Sequence, residues 1–100
     1  MAKPKPKYTK VTRDWHEEMA ISSAKAAANE LTWTRNCGPD AVYALARAER
    51  NIAHARTHLA SIGFGRANAR TKRLWAFVNR RDRQVEEAAN RVARCMIKKR

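Results

Sequence analysis

Long apolar runs are missing from this chain. Nowhere do about 18 consecutive apolar residues occur, the minimum for a helix that crosses a bilayer. The N-terminus also lacks the apolar core of a secretory signal, so a soluble, cytoplasmic protein with no membrane partner is expected. Cysteine is scarce as well. Cys37 and Cys95 are too few for a disulfide framework and lie far apart in sequence, and in a reducing compartment they are expected as free thiols. No alternating segment of strand length, no internal repeat and no glycine-rich phosphate loop after a strand is found, which leaves an all-α chain.

Acidic residues are few, 9 Asp and Glu against 22 Lys and Arg. They fall mostly at helix starts or on charged faces, Ser22, Ser23 and Ser61 sit in no nucleophile elbow, and neither cysteine has a catalytic signature. No enzyme, catalytic residue or cofactor is therefore expected. His54 and His58 have the one-turn spacing of helical metal ligands, and antiparallel counting about the 37–39 turn brings His16 to the height of His58. No third ligand has diagnostic spacing, so solvated histidines and no metal site are expected.

What the chain does hold is alanine and arginine. Nineteen of its 100 residues are Ala, each contributing one methyl on burial, on the order of 1 kcal/mol. The core is expected to be thin, with closely approaching helices offsetting the lack of bulk and a homo-oligomer as a possible further source of burial. Fourteen residues are Arg, and the formal net charge is +13. Charge of that density on a small body attracts polyanions, and the planar guanidinium suits bidentate phosphate contact.

Punctuation divides the chain into an arm and three helices. Residues 1–11 open with "MAKPKPKYTK", a Lys–Pro alternation with nothing to bury, and read as an extended basic arm. Residues 12–100 read as one helical domain, with helices at about 14–36, 39–62 and 67–97. Asp14 and Glu17 have capping-box spacing at the first start. Along this helix Trp15, Met19, Ser22, Ala26, Asn29 and Trp33 form one seam, and Ala20, Ala24, Ala27 and Leu31 a second stripe. "CGPD" at 37–40 ends the first helix, with Gly38 left-handed, and opens the second with Pro39.

Ala41, Leu45, Ala48, Ile52, Ala55, Leu59 and Ile62 line the second helix, with Val42, Ala46, Ala53 and Ala60 widening the apolar arc. "IGFG" stops it, Gly63 capping, Phe64 folding back and Gly65 breaking the chain again. Leu74, Val78, Arg81, Val85, Ala88, Val92 and Cys95 make the seam of the third helix, with Asn68 or Thr71 as its cap. Short connections make consecutive helices antiparallel: an up-down-up bundle of three with a long C-terminal helix. Cys37 and Cys95 then fall at the same end, where a disulfide would need oxidising conditions.

At 100° per residue, Arg73, Arg80, Arg83, Arg91, Arg94 and Lys98 gather on one flank of the third helix, away from Asp82 and Glu86, with Glu87 among them. Arg66, Arg70, Lys72 and Arg73 crowd its N-terminal turn, where positive charge opposes the helix dipole and an anionic ligand would relieve it. Arg81, inside the apolar seam, needs a carboxylate if buried, and counting places Glu49 opposite; the alternative is an uncovered face on which Arg81 points at a ligand or a second subunit. The three Trp read as packing anchors, Trp75 lying off the seam beside the basic turn.

The expected function is backbone binding to nucleic acid, DNA or RNA, with little base specificity. The expected contacts are Lys3, Lys5, Lys7 and Lys10 of the arm and Arg66, Arg70, Lys72, Arg73, Arg80, Arg83, Arg91 and Arg94. The alternative is a protein-binding module, an inhibitor or assembly adaptor, whose basic face docks on an acidic protein surface.

Overall fold

The computed structural model describes residues 10–63 and 66–98, with Lys10 and Val11 through their backbone alone. Three α-helices, α1 (Lys10–Glu30), α2 (Pro39–Ile62) and α3 (Ala69–Lys98), pack pairwise on one another, and a 3-10 turn, Leu31–Thr34, extends α1. No strand occurs among the described residues. The arm through residue 9 and the Phe64 and Gly65 part of the second turn lie outside them.

Local chemistry sets the bounds of α2 where they were expected. Pro39 occupies the first turn, and Gly63, at φ 75° and ψ 157°, takes a positive-φ backbone that suits glycine and donates its N–H to the Ala60 carbonyl at 3.2 Å. Gly38 is extended (φ −153°) rather than left-handed, because it precedes α2 as an N-cap instead of closing α1. Its carbonyl accepts from the Val42 N–H at 3.2 Å. Asn68 and Thr71, weighed as alternative caps of α3, act together. Asn68 Oδ1 accepts the Thr71 N–H at 2.9 Å, and Thr71 Oγ1 accepts the Asn68 N–H at 3.3 Å.

The first helix departs from expectation at both ends. It is already helical at Lys10, the first described residue, so Asp14 and Glu17 lie inside the helix and form no capping box. Asp14 lies 3.7 Å from the Arg13 guanidinium, while Glu17, with no exposed surface, accepts from the Thr71 hydroxyl of α3 at 2.9 Å. A charge-assisted bond across the core outcompetes a local cap. The α-helix ends at Glu30 rather than near Asn36. The Thr32 and Thr34 hydroxyls donate to carbonyls three residues back, at 2.9 and 2.7 Å, favouring the tighter winding of the 3-10 turn.

The core is alanine-lined, and of the two apolar stripes expected on α1 only the alanine stripe enters it. Ala20, Ala24 and Ala27 are completely buried against Ala48, Ile52, Ala55, Leu59, Ile62, Val78 and Val85. The heavier seam faces outward, with Trp15 52% and Trp33 64% exposed. Small side chains permit close helix approach, and no bulky row fits at that separation. On α2 the stripe from Ala41 to Ile62 is buried as expected, but Val42, Ala46, Ala53 and Ala60 are exposed, so its apolar arc is narrower.

Cys37 and Cys95 are disulfide-bonded, not free thiols, with Cα atoms 5.8 Å apart at the end of the molecule where Ala41, Leu45, Ala88 and Val92 form a second core cluster. The shared end of the bundle brings the two sulfurs together despite a separation of 58 residues. Closing a loop of that size restricts the unfolded chain, an effect of about 2–5 kcal/mol for a small domain. Urea unfolding of the oxidised and dithiothreitol-reduced protein is expected to show a loss of that order on reduction. Coincident curves would remove the bond from the account of stability.

Candidate functional site

The expected basic stripe is present and faces outward. Lys72, Arg73, Arg80, Arg83, Arg91, Arg94 and Lys98 are exposed, and the rise of about 1.5 Å per residue spreads positions 73 to 94 over about 31 Å of α3. Opposite them on the helix, Thr71, Val78, Val85, Ala88 and Val92 are buried, so the core fixes the direction of the stripe. Arg73, Arg80 and Arg83, with Ala76, Asn79, Asp82 and Arg56 of α2, line an open groove of about 660 Å³.

Carboxylates could silence such a groove, but the one in it is already engaged. Asp82 Oδ2 accepts from Arg56 Nη2 at 2.9 Å, and Asn79 Oδ1 from the same nitrogen at 3.1 Å. Arg73, Arg80, Arg83 and Arg94 make no ion pair among the described residues. Glu87, within the stripe, also stands exposed without one.

The turn before α3 is organised differently. Glu17 brings its carboxylate to the N-terminus of α3, 3.9 Å from Arg70 and 4.0 Å from Arg13, with the Thr71 hydroxyl on its other oxygen. Glu18 adds a second contact to Arg70 at 3.7 Å. The protein's own carboxylate thus sits where the sequence suggested an anionic ligand, and Arg70 is engaged with two acids. Arg66 is exposed, its N–H donating to the Gly63 carbonyl at 3.3 Å. Lys3, Lys5 and Lys7 lie outside the described residues, as does the side chain of Lys10, the first residue of α1.

Arg81 does not pair with Glu49. Its Nη1 donates to Gln84 at 2.8 Å, its guanidinium lies 5.0 Å from the Phe77 ring centre, and its buried Nε has no partner. Glu49 is exposed and makes no ion pair among the described residues, because the ion pair α2 offers to α3 comes from Arg56. Arg91 reaches the 3-10 turn, Nη2 donating to Thr34 Oγ1 at 3.3 Å.

The histidines are not simply solvated. His16 and His58 meet Nδ1 to Nδ1 at 3.1 Å, and the Trp15 ring abuts both edge-on, at 4.9 and 5.3 Å. Such a bond needs one ring to donate and the other to accept, so at least one is neutral. Burial, then the neighbouring His16 and His54, lower the His58 pKa from its ordinary 6.5. Among the described residues no group of three or more His, Cys, Asp or Glu is placed to hold a metal ion, and no helix is long and apolar enough to cross a membrane.

Sequence reasoning missed the exposed aromatic cluster at the 3-10 turn. Trp33 and Tyr43 are 64% and 65% exposed and share a cavity of about 300 Å³ with Asp40 and Arg47. Of the three tryptophans read as packing anchors, Trp75 does pack half-buried against the core beside Leu59 and Ala60, whereas Trp15 and Trp33 are exposed. The unbroken alanine stripe of α1 was the signal available, since choosing it as the core turns both other tryptophans outward. No protein-family model, curated protein or solved structure matches the chain.

A depressed pKa on a base means that the unfolded chain takes up the proton first. The contribution of His58 to stability is therefore full above pH 6.5 and is lost as pH falls through that value toward the folded pKa. Chemical denaturation between about pH 7.5 and 5 is expected to show falling stability, flattened in His58→Gln. An equally steep fall in that variant would exclude the histidine pair as the cause.

Proposed function

We propose that this is a non-enzymatic nucleic-acid-binding protein that holds the phosphate backbone along the outward face of α3, with little base specificity. The observation that carries the reading is the groove of Arg73, Arg80 and Arg83, whose single carboxylate is already held by Arg56. Three guanidiniums on a rigid rod need no reorganisation to meet successive phosphates, and their mutual repulsion is relieved when a polyanion arrives. Arg91 and Arg94 continue the track. Engagement of Arg70 with Glu17 and Glu18 moves the favoured contact from the turn before α3 to the helix itself. Lys3, Lys5 and Lys7 extend the basic surface from the arm.

We infer in addition that the helices run up-down-up. Two sets of cross-helix contacts support this: His16 with His58 and Glu17 with Thr71 toward one end, and Cys37 with Cys95 at the other.

Affinity for a 20-nucleotide DNA is expected to fall linearly on a log–log plot against salt, each phosphate neutralised contributing about 0.7 to the slope on a single strand or 0.9 on a duplex. Arg73→Ala, Arg80→Ala and Arg83→Ala together should reduce that slope by about 2–3. No binding at about 50 mM salt, or a triple variant that behaves as the wild type, would refute the proposal.

A further inference from the structure

The aromatic cluster at the 3-10 turn carries a step that rests on the phosphate-binding reading and specifies its ligand. Trp33 borders two cavities. One, of about 300 Å³, is shared with Asp40, Tyr43 and Arg47, and the other, of about 330 Å³, with Arg35, Asn36, Pro39 and again Asp40. The ring therefore has room for a planar group, with a carboxylate at the margin of both spaces and a second aromatic ring in one. The alanine core sends Trp33 outward, and Tyr43 is equally exposed.

Two ligand chemistries suit aromatic rings beside a carboxylate. A cationic group would use the ring faces and Asp40 together. Charge decides against it: Arg35 is exposed at one cavity and makes no ion pair among the described residues, Arg47 at the other is neutralised by Glu30, and the chain carries a net +13. A nucleobase uses the same ring face by stacking, gains from cations beside its phosphates, and can donate an N–H to Asp40, the ring N3–H in the case of thymine.

The phosphate track leads to this place. Arg91 bonds to Thr34, the residue after Trp33, and Arg94 precedes Cys95, whose disulfide holds the Cys37 end of the same turn. Bases within a duplex are stacked on each other and offer no free face, whereas an unpaired strand does. We propose that Trp33, with Tyr43 beside it, is a stacking platform for unpaired bases of a single-stranded nucleic acid whose phosphates lie along α3. Arg47 is a positioning group here, oriented by Glu30 at 3.0 Å.

The test compares a labelled 20-nucleotide oligo(dT) with a 20-base-pair duplex by fluorescence anisotropy at one salt concentration. Trp33→Ala should weaken oligo(dT) binding by about 5- to 150-fold and leave duplex binding unchanged. Trp33→Phe should restore most of the loss, because a phenyl ring keeps a stacking face. Trp15→Ala, an exposed tryptophan near the opposite end of α1, should match the wild type and exclude a general effect of removing surface indole. Circular dichroism confirms folding of each variant.

Undiminished oligo(dT) binding in Trp33→Ala would overturn the platform. If the arginine variants still lose affinity in that case, the phosphate-binding reading stands without it. Equal losses on oligo(dT) and duplex would also overturn the platform, since stacking cannot act on a closed duplex. Failure of the unaltered protein to bind either DNA would overturn both readings.

Discussion

The distance between α1 and α2 is set by alanine. Ala20, Ala24 and Ala27 on one helix and Ala48 and Ala55 on the other have no exposed surface, so α1 presents methyl groups to a cluster that α2 fills out with Ile52, Leu59 and Ile62. Helices meeting through such residues lie at the short end of the usual separation of about 8–10 Å. With the alanine stripe of α1 taken into the core, Trp33 in the turn that follows stands 64% exposed, and a base platform depends on that exposure. A core this light has less apolar area per residue to offset chain entropy than a leucine-rich bundle. The disulfide and the Glu17–Thr71 bond each tie distant parts of the chain together where apolar contact is thin.

Charge is partitioned with similar consequences. Asp14 and Glu17 lie against Arg13, Glu18 against Arg70, Glu30 against Arg47 and Asp82 against Arg56. Individually, exposed pairs of this kind contribute about 0–1 kcal/mol or nothing measurable. Their larger effect is on the field, because these acids are committed to Arg13, Arg47, Arg56 and Arg70 and leave Glu87 as the one carboxylate within the outer row of α3. The buried carboxylate of Glu17 does the opposite locally: it fills the anion-attracting end of α3 from within and leaves the flank of that helix as the accessible positive surface.

Features written in neighbouring residues were legible in the sequence, and features that belong to pairs of helices were less so. Pro39 and Gly63 bound α2 through their own backbone chemistry, and the α3 seam from Val78 to Val92 follows from simple periodicity. On α1 two stripes competed, and no property of a single helix says which will face a neighbour. Both stripes have helical spacing; the alanines are the ones buried against α2 and α3. Glu17 had capping spacing in its own segment, yet its bonding partner, Thr71, lies 54 residues away. The cysteines were placed at one end correctly, but their bond depends on atomic proximity that helix counting does not resolve. Arg81 was expected to reach across to Glu49 and instead turned along its own helix to Gln84. The basic row was readable because all its members share one helix, whereas the Trp33–Tyr43–Asp40 cluster draws on two elements and a turn.

The central claim is that the outer face of α3, where Arg73, Arg80, Arg83, Arg91 and Arg94 outnumber the single unpaired carboxylate of Glu87, is where a polyanion rests. Amide chemical-shift mapping of the oxidised protein during titration with a short single-stranded oligonucleotide tests it most directly. The account predicts perturbations concentrated on residues 73–94 and around the turn at 33–35, with the Trp15–Met19 surface of α1 quiet. Perturbations centred on that α1 surface, or none at saturating ligand, would contradict it.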